Sequence, residues 1–164
     1  MKTIKLVFAA ALVGSVAAVV TAPVNAQAPY PGNRVDIAVY ADTVSSSQGD
    51  VKLKRVCTQT NNFQRKSRVV FRAWAMDPKT GQALGNDEIR YAYIKIPGQP
   101  NLKLNWGPHG AVGAKVQFWS AAWAIPKDYP LGVVPFRVVY KTEDGRFGTY
   151  MQAPIDGSQL TVIP

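Results

Sequence analysis

Cysteine and histidine each occur once in this 164-residue chain, as Cys57 and His109, and that scarcity removes several chemistries at the outset. A lone cysteine closes no internal disulfide, so the stability that small exported domains often draw from paired cysteines has to come from a packed core. One histidine is too few for a blue-copper centre, which needs two beside a cysteine, and zinc sites usually show clustered Cys or His pairs. Covalent haem is excluded by the absence of Cys-x-x-Cys-His. There is no Gly-x-Ser-x-Gly elbow, and His109 is the sole imidazole that could serve a nucleophile. Glycosidase chemistry needs two carboxylates at a defined separation, whereas Asp77, Asp87, Glu88, Asp144 and Asp156 stand at no diagnostic spacing. Also missing are an amphipathic helical stripe, an internal repeat and any later apolar run long enough to span a bilayer. The expectation is a protein that is not an enzyme and carries no cofactor.

What is present begins with an export signal. Lys2 and Lys5 form a basic start, Leu6 to Val20 is apolar, and Pro23 precedes a run of small residues, the order of a Sec-type signal peptide. A retained anchor would need roughly 20 consecutive apolar residues, and this shorter stretch includes Gly14 and Ser15. Val24-Asn25-Ala26 and Ala26-Gln27-Ala28 both satisfy the small-x-small cleavage rule. Residues 1–26 are therefore expected to be a cleaved signal helix, with the cut after Ala26 or Ala28. Residues 27–34 then form a flexible lead-in, and 35–164 a single domain, periplasmic or secreted, with no membrane span after cleavage. Losing Lys2 and Lys5 lowers the formal net charge of +9 by two, which leaves a basic protein suited to anionic partners. Its charges are scattered rather than gathered in a stripe, so an acidic periplasmic protein or a cell-wall polymer is expected, and not nucleic acid.

The mature chain reads as short alternating segments divided by turn residues, an all-β pattern. Val35, Ile37 and Val39 alternate with polar residues until Ser45-Ser-Ser-Gln-Gly49 ends the strand. Val51 to Thr58 gives a second, basic strand, in which Cys57 is expected to be a small buried hydrophobe rather than a metal ligand or an intermolecular disulfide partner. Ser67 to Met76 is the clearest strand and Asp77-Pro-Lys-Thr-Gly81 turns it. Ile89 to Ile96, Leu102 to Trp106, Lys115 to Ile125, Val133 to Lys141, Phe147 to Gln152 and Leu160 to Ile163 follow. Asp144-Gly145 marks a tight hairpin. About seven to nine strands in one domain of this size suit an antiparallel β-sandwich of the immunoglobulin (Ig) type.

Trp123-Ala-Ile-Pro126, Tyr129-Pro-Leu-Gly132, Phe136-Arg-Val-Val-Tyr140 and Asp144-Gly-Arg-Phe-Gly148 together resemble the second half of bacterial Ig-like extracytoplasmic domains, and Phe71 to Gly81 resembles their earlier strand and turn. The resemblance implies a disulfide-free Ig-like β-sandwich outside the cytoplasm. It implies no single activity, because that architecture carries adhesion, ligand-binding, metal-binding and assembly roles alike.

If Ala92, Ile94 and Ile96 face inward, Tyr91, Tyr93 and Lys95 face outward. In an Ig-like order Val133–Lys141 lies beside that strand, and with Phe136, Val138 and Tyr140 inward, Arg137 and Lys141 join the same outer face. Tyr and Arg are favoured interface anchors, so these five residues are the candidate partner-binding site of an accessory or assembly domain. The opposite register, with both tyrosines in the core, stays open at this point. An alternative is a metal-handling protein built on His109, with Asp77 and Asp144 brought near it by loops at one end of the sandwich, and Cys57 as a further ligand. Another is a carbohydrate- or cell-wall-binding module using exposed Trp or Tyr.

Overall fold

The alternation in Ser67–Met76 has a direct structural counterpart. Ser67, Val69, Phe71, Ala73 and Ala75 are buried, while Arg68, Val70, Arg72, Trp74 and Met76 line the other side, as the two-residue period of a strand requires. A computed structural model describes residues 36–51, 57–109, 116–151 and 160–164. The expected signal peptide, its cleavage sites and the lead-in lie outside the described residues.

Eleven strands and no helix occur among the described residues: β1 Ala38–Gly49, β2 Asn62–Gln64, β3 Ser67–Met76, β4 Ile89–Lys95, β5 Leu102–Lys103, β6 Asn105–His109, β7 Val116–Ala124, β8 Gly132–Val133, β9 Arg137–Thr142, β10 Phe147–Met151 and β11 Thr161–Ile163. They form two four-stranded sheets, β1-β3-β7-β6 and β10-β9-β4-β5, and a small third sheet, β2-β11-β8. All ladders are antiparallel except β2 with β11, which is parallel. The two larger sheets share one apolar core in a β-sandwich-like arrangement. Phe71 of β3 meets Phe136 at 5.0 Å between ring centroids, and Trp119 of β7 meets Tyr140 of β9 at 5.7 Å. At the open edge the sheets come so close that a Cβ on Gly148 would lie 2.6 Å from Ile37 Cβ and 2.8 Å from the Ile37 carbonyl oxygen. Only glycine fits there.

Several expectations need correction. The serine run Ser45–Ser47 continues β1 instead of ending it, because Ser45 pairs with Val69 and its carbonyl accepts the Cys57 N–H at 2.9 Å. Tertiary pairing overrides the weak strand propensity of serine. The expected strand Leu102–Trp106 divides at buried Leu104: Leu102–Lys103 pairs with β4, whereas Asn105–His109 pairs with β7 in the opposite sheet. The expected strand Val133–Lys141 likewise divides, into β8 and β9. Residues 52–56 of the expected second strand lie outside the described residues. Cys57, expected in the core, is exposed. It sits at φ 55 beside the edge of β1, where its N–H bonds to the Ser45 carbonyl and its side chain is left to solvent.

Candidate functional site

On β4 the buried side chains are Ile89, Ala92 and Ile94, with Arg90, Tyr91 and Lys95 exposed and Tyr93 half-buried. Ile96, just past the strand, is buried as well. This is the register in which both tyrosines face outward. On β9, Val138, Tyr140 and Thr142 are buried while Arg137 and Lys141 are exposed. The ladder sets Tyr91 opposite Lys141, Tyr93 opposite Val139 and Lys95 opposite Arg137. Facing pairs in an antiparallel ladder have Cβ atoms about 5 Å apart, so the five candidate partner-binding residues occupy one surface.

Sequence reasoning missed the width of that surface. The Thr142–Arg146 hairpin folds β10 beside β9, adding Phe147 opposite Lys141, Thr149 opposite Val139 and Met151 opposite Arg137. On the far side Lys103 of β5 pairs with Tyr93. Three cross-strand rows result: Phe147, Lys141 and Tyr91; Thr149, Val139, Tyr93 and Lys103; Met151, Arg137 and Lys95. Phe147 is 43% exposed, Met151 58% and Tyr91 41%, which is high for large apolar side chains. The rows contain no Asp or Glu. Arg90 at the margin lies 5.3 Å from the Tyr91 ring centroid and pairs with Glu143 at 3.1 Å. The Asp-Gly hairpin signal, read with strand alternation, would have been enough to place Phe147 and Met151 on this face.

The other candidate residues are arranged differently. Arg146 joins Asp77 to Asp144: its Nη1 donates to Asp77 Oδ2 at 2.9 Å and its Nε to Asp144 Oδ2 at 3.0 Å. Asp77 Oδ1 also accepts the Lys79 N–H at 2.8 Å, and Asp144 accepts the Thr142 hydroxyl. The Lys79 amide and the Thr142 hydroxyl, ahead of Arg146, hold the two carboxyls below their ordinary range. The arginine sits where a cation between these turns would go and ties the β3–β4 loop to the β9–β10 hairpin. His109 has other neighbours. Its ring stacks on Phe118 at 3.9 Å with planes 14° apart, and Nε2 lies 3.3 Å from Ser120 Oγ. Burial pushes the imidazole pKa down, so the ring is neutral at pH 7. Among the described residues no three His, Cys, Asp or Glu side chains gather closely enough to hold a metal ion.

Among the described residues, the buried Trp123 Nε1 and Tyr140 Oη have no hydrogen-bond partner. Burial drives the Tyr140 phenol far above its usual pKa, so it stays protonated in the core as a packing group. No family model, curated protein or solved structure matches the chain.

Proposed function

We propose that this chain is an exported, non-catalytic binding domain of Ig-like build, acting as an accessory protein that docks on an acidic periplasmic partner through the outer face of β10-β9-β4-β5. The observation that carries the reading is the composition of the three rows. Lys95, Lys103, Arg137 and Lys141 alternate with Tyr91, Tyr93, Phe147 and Met151, without an intervening carboxylate. The rings and the thioether supply contact area, tyrosine with little rotamer freedom to lose, and the cations steer an anionic partner to it. The signal-like N-terminus, Lys2 to Ala28, supports the compartment, and N-terminal sequencing of the exported protein should begin at Gln27 or Pro29.

Charge reversal tests the docking. Extract of exported proteins is passed over immobilised wild type and over a Lys95→Glu/Arg137→Glu variant. The wild type should retain an acidic protein that elutes as salt rises, because screening shortens the reach of surface charge to about 8 Å at physiological ionic strength. The variant should not retain it. Equal retention by both defeats the reading.

A further inference from the structure

The outer face of the other sheet is built on a different plan. Its order, β1-β3-β7-β6, sets one ring from each strand side by side. Tyr40 and Trp74 are cross-strand partners with centroids 5.5 Å apart. Trp74 and Phe118 follow at 5.4 Å, and Phe118 stacks on His109. Beyond the β1 edge, Tyr150 meets Tyr40 edge-on at 6.4 Å. Beside this band, Asp42 pairs with Arg72 through both carboxylate oxygens, and the guanidinium carbon lies 5.7 Å from the Trp74 ring centroid. At the Tyr40 end the band opens into a cleft of about 360 Å³, lined by Tyr40, Asp42, Thr43, Gln59, Thr60 and Tyr150. That is a usual size for a small-ligand site.

The chemistry of the cleft is selective. Tyr40 remains 48% exposed, so its ring is not consumed by the core. The single carboxylate in the lining, Asp42, is neutralised by Arg72. Among the described lining residues an anion therefore finds no open cation and a cation finds its counter-ion engaged, whereas the opposite sheet displays Lys95, Lys103, Arg137 and Lys141. What remains is the exposed Tyr40 ring, with hydroxyl and side-chain amide groups that donate and accept and a carboxylate that accepts. A pyranose ring matches that set, with an apolar C–H face to lie on an aromatic ring and hydroxyls around its rim for polar edges. The Tyr40 and Trp74 planes are tilted by 38° and those of Trp74 and Phe118 by 45°, which suits one twisting chain rather than a flat crystalline surface.

We propose that this face is a binding site for a neutral polysaccharide chain, with one sugar in the Tyr40–Tyr150 cleft and its neighbours running along Trp74 and Phe118. The site is separate from the basic face and stands or falls independently of it. The test is affinity electrophoresis of the full exported chain in gels containing hydroxyethyl cellulose, laminarin or soluble starch, with chitohexaose titrated in solution and heparin as the anionic control. At least one neutral glycan should bind, and raised salt should leave that binding unchanged. Tyr40→Ala and Gln59→Ala, both at exposed positions, should each keep a native melt, with Tyr40→Ala weakening binding about tenfold or more. Lys95→Glu/Arg137→Glu should leave it intact. Absence of binding to every neutral glycan, binding to heparin alone, or binding that survives both Tyr40→Ala and Gln59→Ala would overturn the proposal.

Discussion

The two outer sheet faces use the same residue types to opposite effect. On β1-β3-β7-β6 both arginines of β3 are turned onto their surroundings: Arg72 closes on Asp42, whose side chain is only 8% exposed, and lies by Trp74, while Arg68 donates to Gln48. On β10-β9-β4-β5, Arg137 stands between Lys95 and Met151 in exposed rows that hold no carboxylate. A net charge of +9 says nothing about this division. What matters is which groups each cation faces: Arg72 is neutralised by Asp42 on the first face, while the rows of the second hold Arg137 and three lysines with no carboxylate among them.

The most severe way to break the comparison is to collapse the core that holds the faces apart. Phe71→Ala removes a fully buried ring packed on Phe136 and should lower unfolding free energy by about 3–5 kcal/mol in urea titration. The next test sets one arginine against the other. Arg72→Ala strands the Asp42 carboxylate and should lower stability by about 1–3 kcal/mol, whereas Arg137→Ala should stay within about 0.5 kcal/mol. Equal losses would erase the distinction between the faces. Smaller still, the double change Tyr91→Ala/Tyr93→Ala should shift stability by less than about 1 kcal/mol while weakening an acidic partner by about 2 kcal/mol or more. A thermal melt showing a core-sized loss would mean that these rings support the fold rather than a contact.

Acid probes the turns between the faces and carries the smallest expected effect. Asp77 and Asp144 have folded pKa values below the ordinary 3.8. Between the folded and ordinary values the unfolded chain binds protons that the folded chain does not. Their contribution is therefore present above 3.8 and is lost as pH falls through the folded values. In Asp77→Asn/Asp144→Asn the stability difference from wild type should be present near pH ~6 and shrink toward pH ~2.5. His109 adds a separate window with the same slope, because its depressed pKa makes stability decline as pH drops below about 6.5.

The all-β class and the main strands were legible because each rests on alternation within a single segment. The register of Ile89–Ile96 was not, because alternation groups Ala92, Ile94 and Ile96 on one face and Tyr91, Tyr93 and Lys95 on the other without saying which face meets the core. The aromatic band was not legible. Tyr40, Trp74, Phe118 and His109 come from four segments, and nothing in any of them states that the strands stack in the order β1-β3-β7-β6. The Arg146 bridge escaped for a related reason: Asp77 and Asp144 were read as acidic turn residues able to join His109 at a metal, while the cation that joins them, Arg146, stands one position past the hairpin glycine Gly145. Cys57 misled because a small apolar residue in an apolar–basic run reads as core, and the positive φ that turns it outward leaves no mark in composition. Strands of two or three residues, such as β2, β5, β8 and β11, are too short to show a period.

The parallel pairing of β11 with β2 governs timing. Thr161–Ile163 lies alongside Asn62–Gln64, segments about a hundred residues apart, and pairings of such long range slow folding. Phe63 and Val162, both buried, therefore reach their final surroundings only when these two distant segments have met, and the same event supplies the strand that joins β2 to β8.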